Sequence, residues 1–216
     1  MCDPVKTDKI ITDYNNYGIR CFAISTKKHD DMRKMLAYLR DNFTSKYKQV
    51  GLWSMICGTP NVGKSSIINQ LRSISDLENK KATAKATASV ATTKGVSGFK
   101  ILSNPLMFLL DSPGVMIPSV IPKELGLKMA VLGLIKEQIV DKHTLVNYIV
   151  EQCEHDGNEK YWQNMRVERP SNSAEYIDMI RTKHRLYNYD AVYDRIIGNY
   201  RDGKLGRVTL DDPIQV

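Results

Sequence analysis

The sequence predicts an α/β domain over 1–122 followed by a small all-helical domain over 123–216. Three observations carry that division. Short apolar, β-prone runs at Gly51–Cys57 (GLWSMIC) and Pro105–Leu110 (PLMFLL) each end in a polar, glycine-containing turn. Stretches with apolar residues at helical spacing alternate with those runs, as in a three-layer α/β/α arrangement around a mostly parallel sheet. From about Lys123 onward only the helical period remains.

Taken in order, Gly18–Ser25 (GIRCFAIS) reads as a short buried strand, apolar at its centre. Asp31–Phe43 carries Met32, Met35, Leu36 and Leu39 at helical spacing. Gly51–Cys57 is a second strand that runs straight into Gly-Thr-Pro-Asn-Val-Gly-Lys-Ser-Ser, after which Ile67, Ile68, Leu71 and Ile74 mark a helix. Asn79–Gly98 is dominated by Lys, Ala, Thr, Ser and Gly without a hydrophobic period, and is expected to be a mobile loop. Phe99–Leu102 and Pro105–Leu110 form a strand pair ending at Asp111-Ser112-Pro113-Gly114. Beyond them, Leu125–Val140, Lys142–Cys153, Ala174–His184 and Tyr189–Gly203 read as helices, with Asp156–Ser173 the most loop-like linker and no internal repeat.

Composition narrows the function classes. Of the 216 residues 42% are hydrophobic and 25% charged, as in a soluble globular protein. No apolar run approaches the ~20 residues that cross a bilayer. Cys2, Cys21, Cys57 and Cys153 lie far apart without a CxxC pair, which argues against a zinc site or a disulfide framework. A formal charge of +7 permits contact with RNA or an acidic surface. Met1–Val5 is neither a signal nor a transit peptide, so the chain is cytoplasmic or its native N-terminus lies upstream.

Gly58-Thr-Pro-Asn-Val-Gly63-Lys64-Ser65 fits GxxxxGK[ST] in full, between a strand and a helix. Polyphosphate has to be wrapped by backbone N–H groups, and glycine lets the chain approach without a Cβ clash. Asn61, Val62, Gly63, Lys64, Ser65 and Ser66 are therefore candidate phosphate-binding residues. Lys64 would neutralise β/γ-phosphate oxygens, Ser65 would hold Mg²⁺, and the following helix would direct its positive end at the anion. Asp111-Ser112-Pro113-Gly114 is DxxG at a strand end. Asp111 would hold Mg²⁺ through water, and the Gly114 N–H would sense the terminal phosphate. Between the two motifs, Thr92 or Thr93 would close on the metal and that phosphate.

These residues, with Lys81-Ala82-Thr83, Val115, Gly126-Leu-Lys-Met-Ala-Val-Leu-Gly133 and Tyr200-Arg-Asp-Gly203-Lys-Leu-Gly206, resemble the mitochondrial ribosome-associated GTPase 1 family, relatives of the bacterial ribosome biogenesis GTPase A. The resemblance covers most of the chain and is specific around the two motifs. It implies a circularly permuted GTPase domain that binds GTP and GDP, uses Mg²⁺, and hydrolyses GTP. It further implies a large-ribosomal-subunit partner with its rRNA, a mitochondrial matrix location that extends to peripheral contact with the inner membrane, and a monomer; a cytoplasmic location is the alternative. Permutation puts the base-reading motif first. Lys6-Thr7-Asp8 would then be KxD and Ser25-Thr26-Lys27 the SAK-type motif, with Val5 where the family has Asn. Asn61 is similar to an asparagine that in related GTPases coordinates K⁺, a candidate second cation.

The resemblance also implies strands upstream of KxD, so the chain is expected to be truncated, its sheet incomplete, and any upstream catalytic histidine absent. His29, His143, His155 and His184 stand at no motif position. In the helical domain, basic residues interspersed with Tyr161, Trp162, Tyr187 and Tyr189 suit RNA under the resemblance, and a solvated surface over an aromatic core under composition alone. Three functional readings stay open: a GTP-hydrolysing switch, a catalytically weak GTP-binding assembly factor or inert fragment, and an adenine-selective ATPase.

Overall fold

A helix that apolar spacing does not announce opens the chain. In the computed structural model, which describes residues 2–47, 49–75, 97–114, 122–136 and 139–211, α1 spans Pro4–Asn16. Its start has two local causes: Pro4 in the first turn, and the Asp3 carboxylate, which accepts from the Lys6 N–H at 2.9 Å. The remaining elements run α2 (His29–Asn42), β1 (Leu52–Ile56), α3 (Lys64–Ile74), β2 (Ser97–Ser103), β3 (Leu106–Asp111), α4 (Lys123–Val131), α5 (Lys142–His155), α6 (Lys160–Gln163), α7 (Ser173–Lys183) and α8 (Tyr189–Arg201).

The chain divides into two compact units, Ile24–Val120 and Met1–Ala23 together with Ile121–Val216. The first 23 residues, read from sequence as part of the α/β domain, group with the helical unit. They are tied there by the Asp3 N–H to Thr209 Oγ1 bond at 2.9 Å and by the Lys6 ammonium on Asp156 at 2.8 Å.

In the unit Ile24–Val120 the sheet order is β1-β3-β2. β1 pairs parallel with β3 (Leu52↔Met107 through Ile56↔Asp111), and β2 pairs antiparallel with β3. Strand alternation sends Met107 and Leu109 to one face, where they bury with Ile101, with Ile68 and Leu71 of α3, and with Met32 of α2. Each fully buried Ile or Leu there contributes roughly 1.5–3 kcal/mol. The opposite face presents Trp53, stacked on Phe108 at 4.4 Å and still half exposed. Gly18–Ser25, expected as a strand, has no ladder partner among the described residues, and its backbone takes no regular form. An extended segment is held by inter-strand bonds, and apolar alternation alone cannot supply them.

The helical unit is organised by caps. Asp141, Asn172 and Asn188 accept from the backbone N–H of Thr144, Glu175 and Ala191, starting α5, α7 and α8. Tyr161 and Tyr176 meet edge to face at 5.1 Å in the core, and the Tyr176 hydroxyl donates to the Tyr161 carbonyl at 2.9 Å. Cys153 is fully buried, and burial pushes its thiol up to about 12, so it is inert filling. The Tyr200–Gly206 stretch acts as a clamp. Arg201 donates to the carbonyls of Ala130 (2.8 Å) and Val131 (2.9 Å) at the end of α4. Asn158 and Asn164 donate to the carbonyls of Leu205 (2.8 Å) and Lys204 (2.7 Å).

His184 gives this unit a titratable weak point. Burial first, then the charges of Arg195 and Lys183, hold its imidazole below the ordinary value, against a bond to the Met165 backbone that acts the other way. The unfolded chain therefore takes up the proton first. The stability that neutral His184 allows is present above the unfolded pKa of about 6.5 and is lost as pH falls through the lower folded pKa. Urea denaturation between about pH 5 and pH 7.5 should show this slope in the parent chain and a flatter one in His184→Gln; parallel slopes would dismiss the assignment.

Candidate functional site

The segment between β1 and α3 has the geometry of an anion cradle. Gly58 and Gly63 have φ of 155° and 95°, and Asn61 between them sits at 60°, in the left-handed region. That sequence of turns curls the loop before α3 starts at Lys64. Like α2, α4 and α6, α3 starts with no side-chain cap, and it has Gly63 at its cap position. Its first N–H groups and the positive end of its dipole are thus offered to a ligand. Lys64 is 8% exposed, and its ammonium donates to the carbonyls of Thr59 (2.8 Å) and Gly58 (3.1 Å). The loop thereby holds its own cation inside the curve.

Parallel pairing of β1 with β3 sets Asp111 level with Ile56, just before the loop. Ser65 Oγ donates to Asp111 Oδ2 at 2.8 Å. Asp111 is 2% exposed, and its other oxygen, Oδ1, is buried with no hydrogen-bond partner. An unpaired buried carboxylate oxygen is costly and asks for a ligand. Together with the serine hydroxyl it forms a pair of hard oxygen donors. Mg²⁺ needs few protein ligands and completes its shell with water and phosphate oxygens, so the pair fits it. Bound there, the cation would supply charge neutralisation between the phosphates. Among the described residues no group of three or more His, Cys, Asp or Glu side chains is placed to hold a metal.

Two residues that sequence reasoning passed over hold the turn after β3 in place. Ser112, 6% exposed, donates to the Ile56 carbonyl at 2.6 Å and pins the turn to the end of β1. Pro60, buried in the loop, packs on Gly114 so closely that a Cβ there would lie 2.6 Å from Pro60 Cγ. A hydroxyl inside DxxG was the available signal for the first; nothing local announces the second.

One unit therefore brings together Asn61, Val62, Gly63, Lys64, Ser65, Ser66, Asp111 and Gly114. Ser25 and Thr26 lie in the same unit, in the turn before α2, where the Ser25 N–H donates to Asp31 Oδ2 at 3.0 Å. Thr92 and Thr93 fall outside the described residues. Lys6 and Asp8 are placed otherwise than expected. They stand on α1 in the helical unit rather than in a loop after a strand, with Lys6 ion-paired to Asp156 and Asp8 exposed. The Asp3 cap and Pro4 start a helix directly over KxD, and the backbone needed for a base-reading loop is consumed by it.

The family model described as RsgA GTPase matches residues 1–120. The chain belongs to the RsgA GTPase family. Among curated relatives, Mitochondrial GTPase 1 of Aedes aegypti is 31% identical over 174 residues, 73% of this chain and 54% of that protein. Mitochondrial ribosome-associated GTPase 1 of Bos taurus is 31% identical over 235 residues, 98% of this chain and 70% of that protein. The chain thus spans about half the length of the mosquito relative. A solved structure of GNP-bound YlqF from T. maritima aligns over all of this chain and 78% of its own length, with a TM-score of 0.62 at 20% identity. That likeness establishes the fold of the family member as the circularly permuted α/β P-loop type.

Proposed function

We propose that the chain is a GTP-binding and GTP-hydrolysing switch that assists assembly of the large mitochondrial ribosomal subunit. One observation carries the nucleotide half: at the head of the uncapped α3, Ser65 meets an Asp111 whose second oxygen is buried and unpaired. Phosphates would be held by the N–H groups of Gly63–Ser66 and by Lys64, and Mg²⁺ by Ser65 and Asp111. Gly114 would report the terminal phosphate, and Thr92 or Thr93 would close over it. Asn61, already in a left-handed turn, is the candidate K⁺ ligand. Asp8 and Lys6 would serve as the base-reading KxD pair, and Ser25 and Thr26 as the SAK-type motif. Family membership and the name of the cattle relative support ribosomal association, with rRNA as the partner and the mitochondrial matrix, including the matrix side of the inner membrane, as the location. No helix among the described residues is long and apolar enough to cross a membrane. The monomeric state belongs to the same proposal.

The pairing of Lys6 with Asp156 favours a second reading, a GTP-binding factor with weak turnover and loose base selectivity. Turnover of GTP and ATP, in K⁺ and in Na⁺, with and without ribosomal subunits, separates these. K⁺-stimulated GTP hydrolysis is expected; binding without turnover would favour the weaker factor, and an ATP preference would discard guanine selectivity.

A further inference from the structure

In the unit Ile24–Val120 one arginine is buried without a counter-ion. Arg72 stands in the last turn of α3, is 8% exposed, and holds its guanidinium 5.5 Å above the Phe99 ring of β2. Its Nε is sealed from solvent with no hydrogen-bond partner. No ion pair reaches the side chain among the described residues. Burying an unpaired charge is costly, and such groups are as a rule paired. The helix dipole does not account for the burial, since a cation in the last turn interacts with it from an exposed position as well.

Every carboxylate among the described residues of this unit is engaged elsewhere. Asp30 pairs with Arg33 at 3.6 Å and Asp41 with Arg40 at 2.7 Å. Asp31 accepts from the Ser25 N–H at 3.0 Å, and Asp111 from Ser65 Oγ at 2.8 Å. Phe99, under the guanidinium, belongs to an open sheet edge. β2 is the outermost strand, bonded along one side to β3 and without a ladder partner among the described residues on the other. Its regular register breaks between Lys100 and Leu102, which leaves Ser97–Lys100 as the stretch able to take a further strand. Ser97, Gly98 and Lys100 are exposed, and Lys100 adds a second positive charge to the edge. An incoming strand would meet a row of backbone groups and a guanidinium shaped for a planar carboxylate.

We propose that Arg72 and the β2 edge form a docking site for an extended acidic protein segment, which adds a strand beside Ser97–Lys100 and sets a Glu or Asp carboxylate on the Arg72 guanidinium. A free anion would satisfy the arginine and leave the edge unpaired; a strand supplies both the carboxylate and the matching row of N–H and C=O groups. Docking of this kind goes beyond nucleotide binding and does not depend on it. Binding is read without nucleotide, so failure of GTP turnover and failure of this surface are separate results.

The test uses the full chain, its Arg72→Met and Arg72→Lys variants, and short labelled peptides: alternating Thr and Glu, the same with Gln for Glu, and the Thr/Glu peptide with a central proline. Anisotropy gives affinity, and amide hydrogen exchange reports on the edge. The Thr/Glu peptide should bind and slow exchange within Ser97–Lys100. Gln for Glu, or Arg72→Met in the protein, should each weaken binding about tenfold or more. The proline peptide, which cannot complete a ladder, should lose affinity as well. Arg72→Lys should regain only part of the binding, since it lacks the planar fork. Arg72→Met should also raise the melting temperature by roughly 2–5 °C, because an apolar side chain replaces an unpaired buried charge. Parent-like binding by Arg72→Met would overturn the proposal, as would parent-like binding of the proline peptide or displacement by an equal concentration of inorganic phosphate. Tighter capture of a labelled RNA hairpin, lost in Arg72→Met, would give the site to nucleic acid instead. Asp76 and Glu78 lie outside the described residues, so a chain carrying Asp76→Asn and Glu78→Gln is the control. A fall in melting temperature shared by that chain and Arg72→Met would give the arginine a partner within the protein and dismiss the docking site.

Discussion

Lys64→Ala is expected to weaken guanine-nucleotide binding by at least about a hundredfold and to remove measurable turnover. An ammonium and a phosphate oxygen about 4 Å apart interact by about 4 kcal/mol at an effective dielectric of 20, and the cradle is partly shielded from water. Lys64 is itself 8% exposed and already lies against the carbonyls of Gly58 and Thr59. It needs only to exchange those two bonds for phosphate oxygens, so little is spent on reaching its ligand. The same change deprives both carbonyls of a donor, and a modest fall in stability is expected beside the binding loss. Calorimetric titration with GDP and a non-hydrolysable GTP analogue, with a thermal melt on the same sample, measures both. A folded Lys64→Ala chain that binds like the parent would remove the cradle from the mechanism.

Gly114→Ala should act by a different route. Its added carbon would lie 2.6 Å from Pro60 Cγ, 2.7 Å from Pro60 N and 2.8 Å from Pro60 Cα. Two of those atoms are backbone, so no side-chain rotation relieves the clash, and either the phosphate loop or the turn after β3 has to move. Overpacking of this kind typically destabilises by about 1–3 kcal/mol. The displaced turn also carries Ser112, bonded to Ile56, and Asp111, bonded to Ser65. Mg²⁺-dependent nucleotide affinity should therefore fall further than affinity measured in EDTA. Urea denaturation and titrations with and without Mg²⁺ check the two parts, and an unchanged Mg²⁺ increment would disconnect Gly114 from the metal pair.

Much of the candidate nucleotide site was legible because its requirements are local. A strand, a loop with glycine at the strained positions and a helix follow one another in sequence, and the proposed role of Lys64 depends on nothing farther away. Asp111 was legible for a related reason: an apolar strand ending in an acidic turn is a short-range pattern, and parallel pairing then sets it beside the loop. Ser112 and Pro60 were not, since each acts through a contact made across the sheet or between two loops. Gly18–Ser25 shows the converse. It has strand-like alternation, yet strand structure is a property of pairs, and no described segment pairs with it.

By itself, then, the sequence determined the strand–loop–helix order around Gly58–Ser65, the aspartate that ends β3 and the helical character of the C-terminal half, because these depend on neighbours along the chain. Only the tertiary structure decided that the first 23 residues fold with the helical unit, where Asp3 and Lys6 find Thr209 and Asp156. Those partners stand some 150 to 206 residues away in sequence. Nothing in a local period or motif ranks one distant partner above another; burial and ion pairing in the folded chain do.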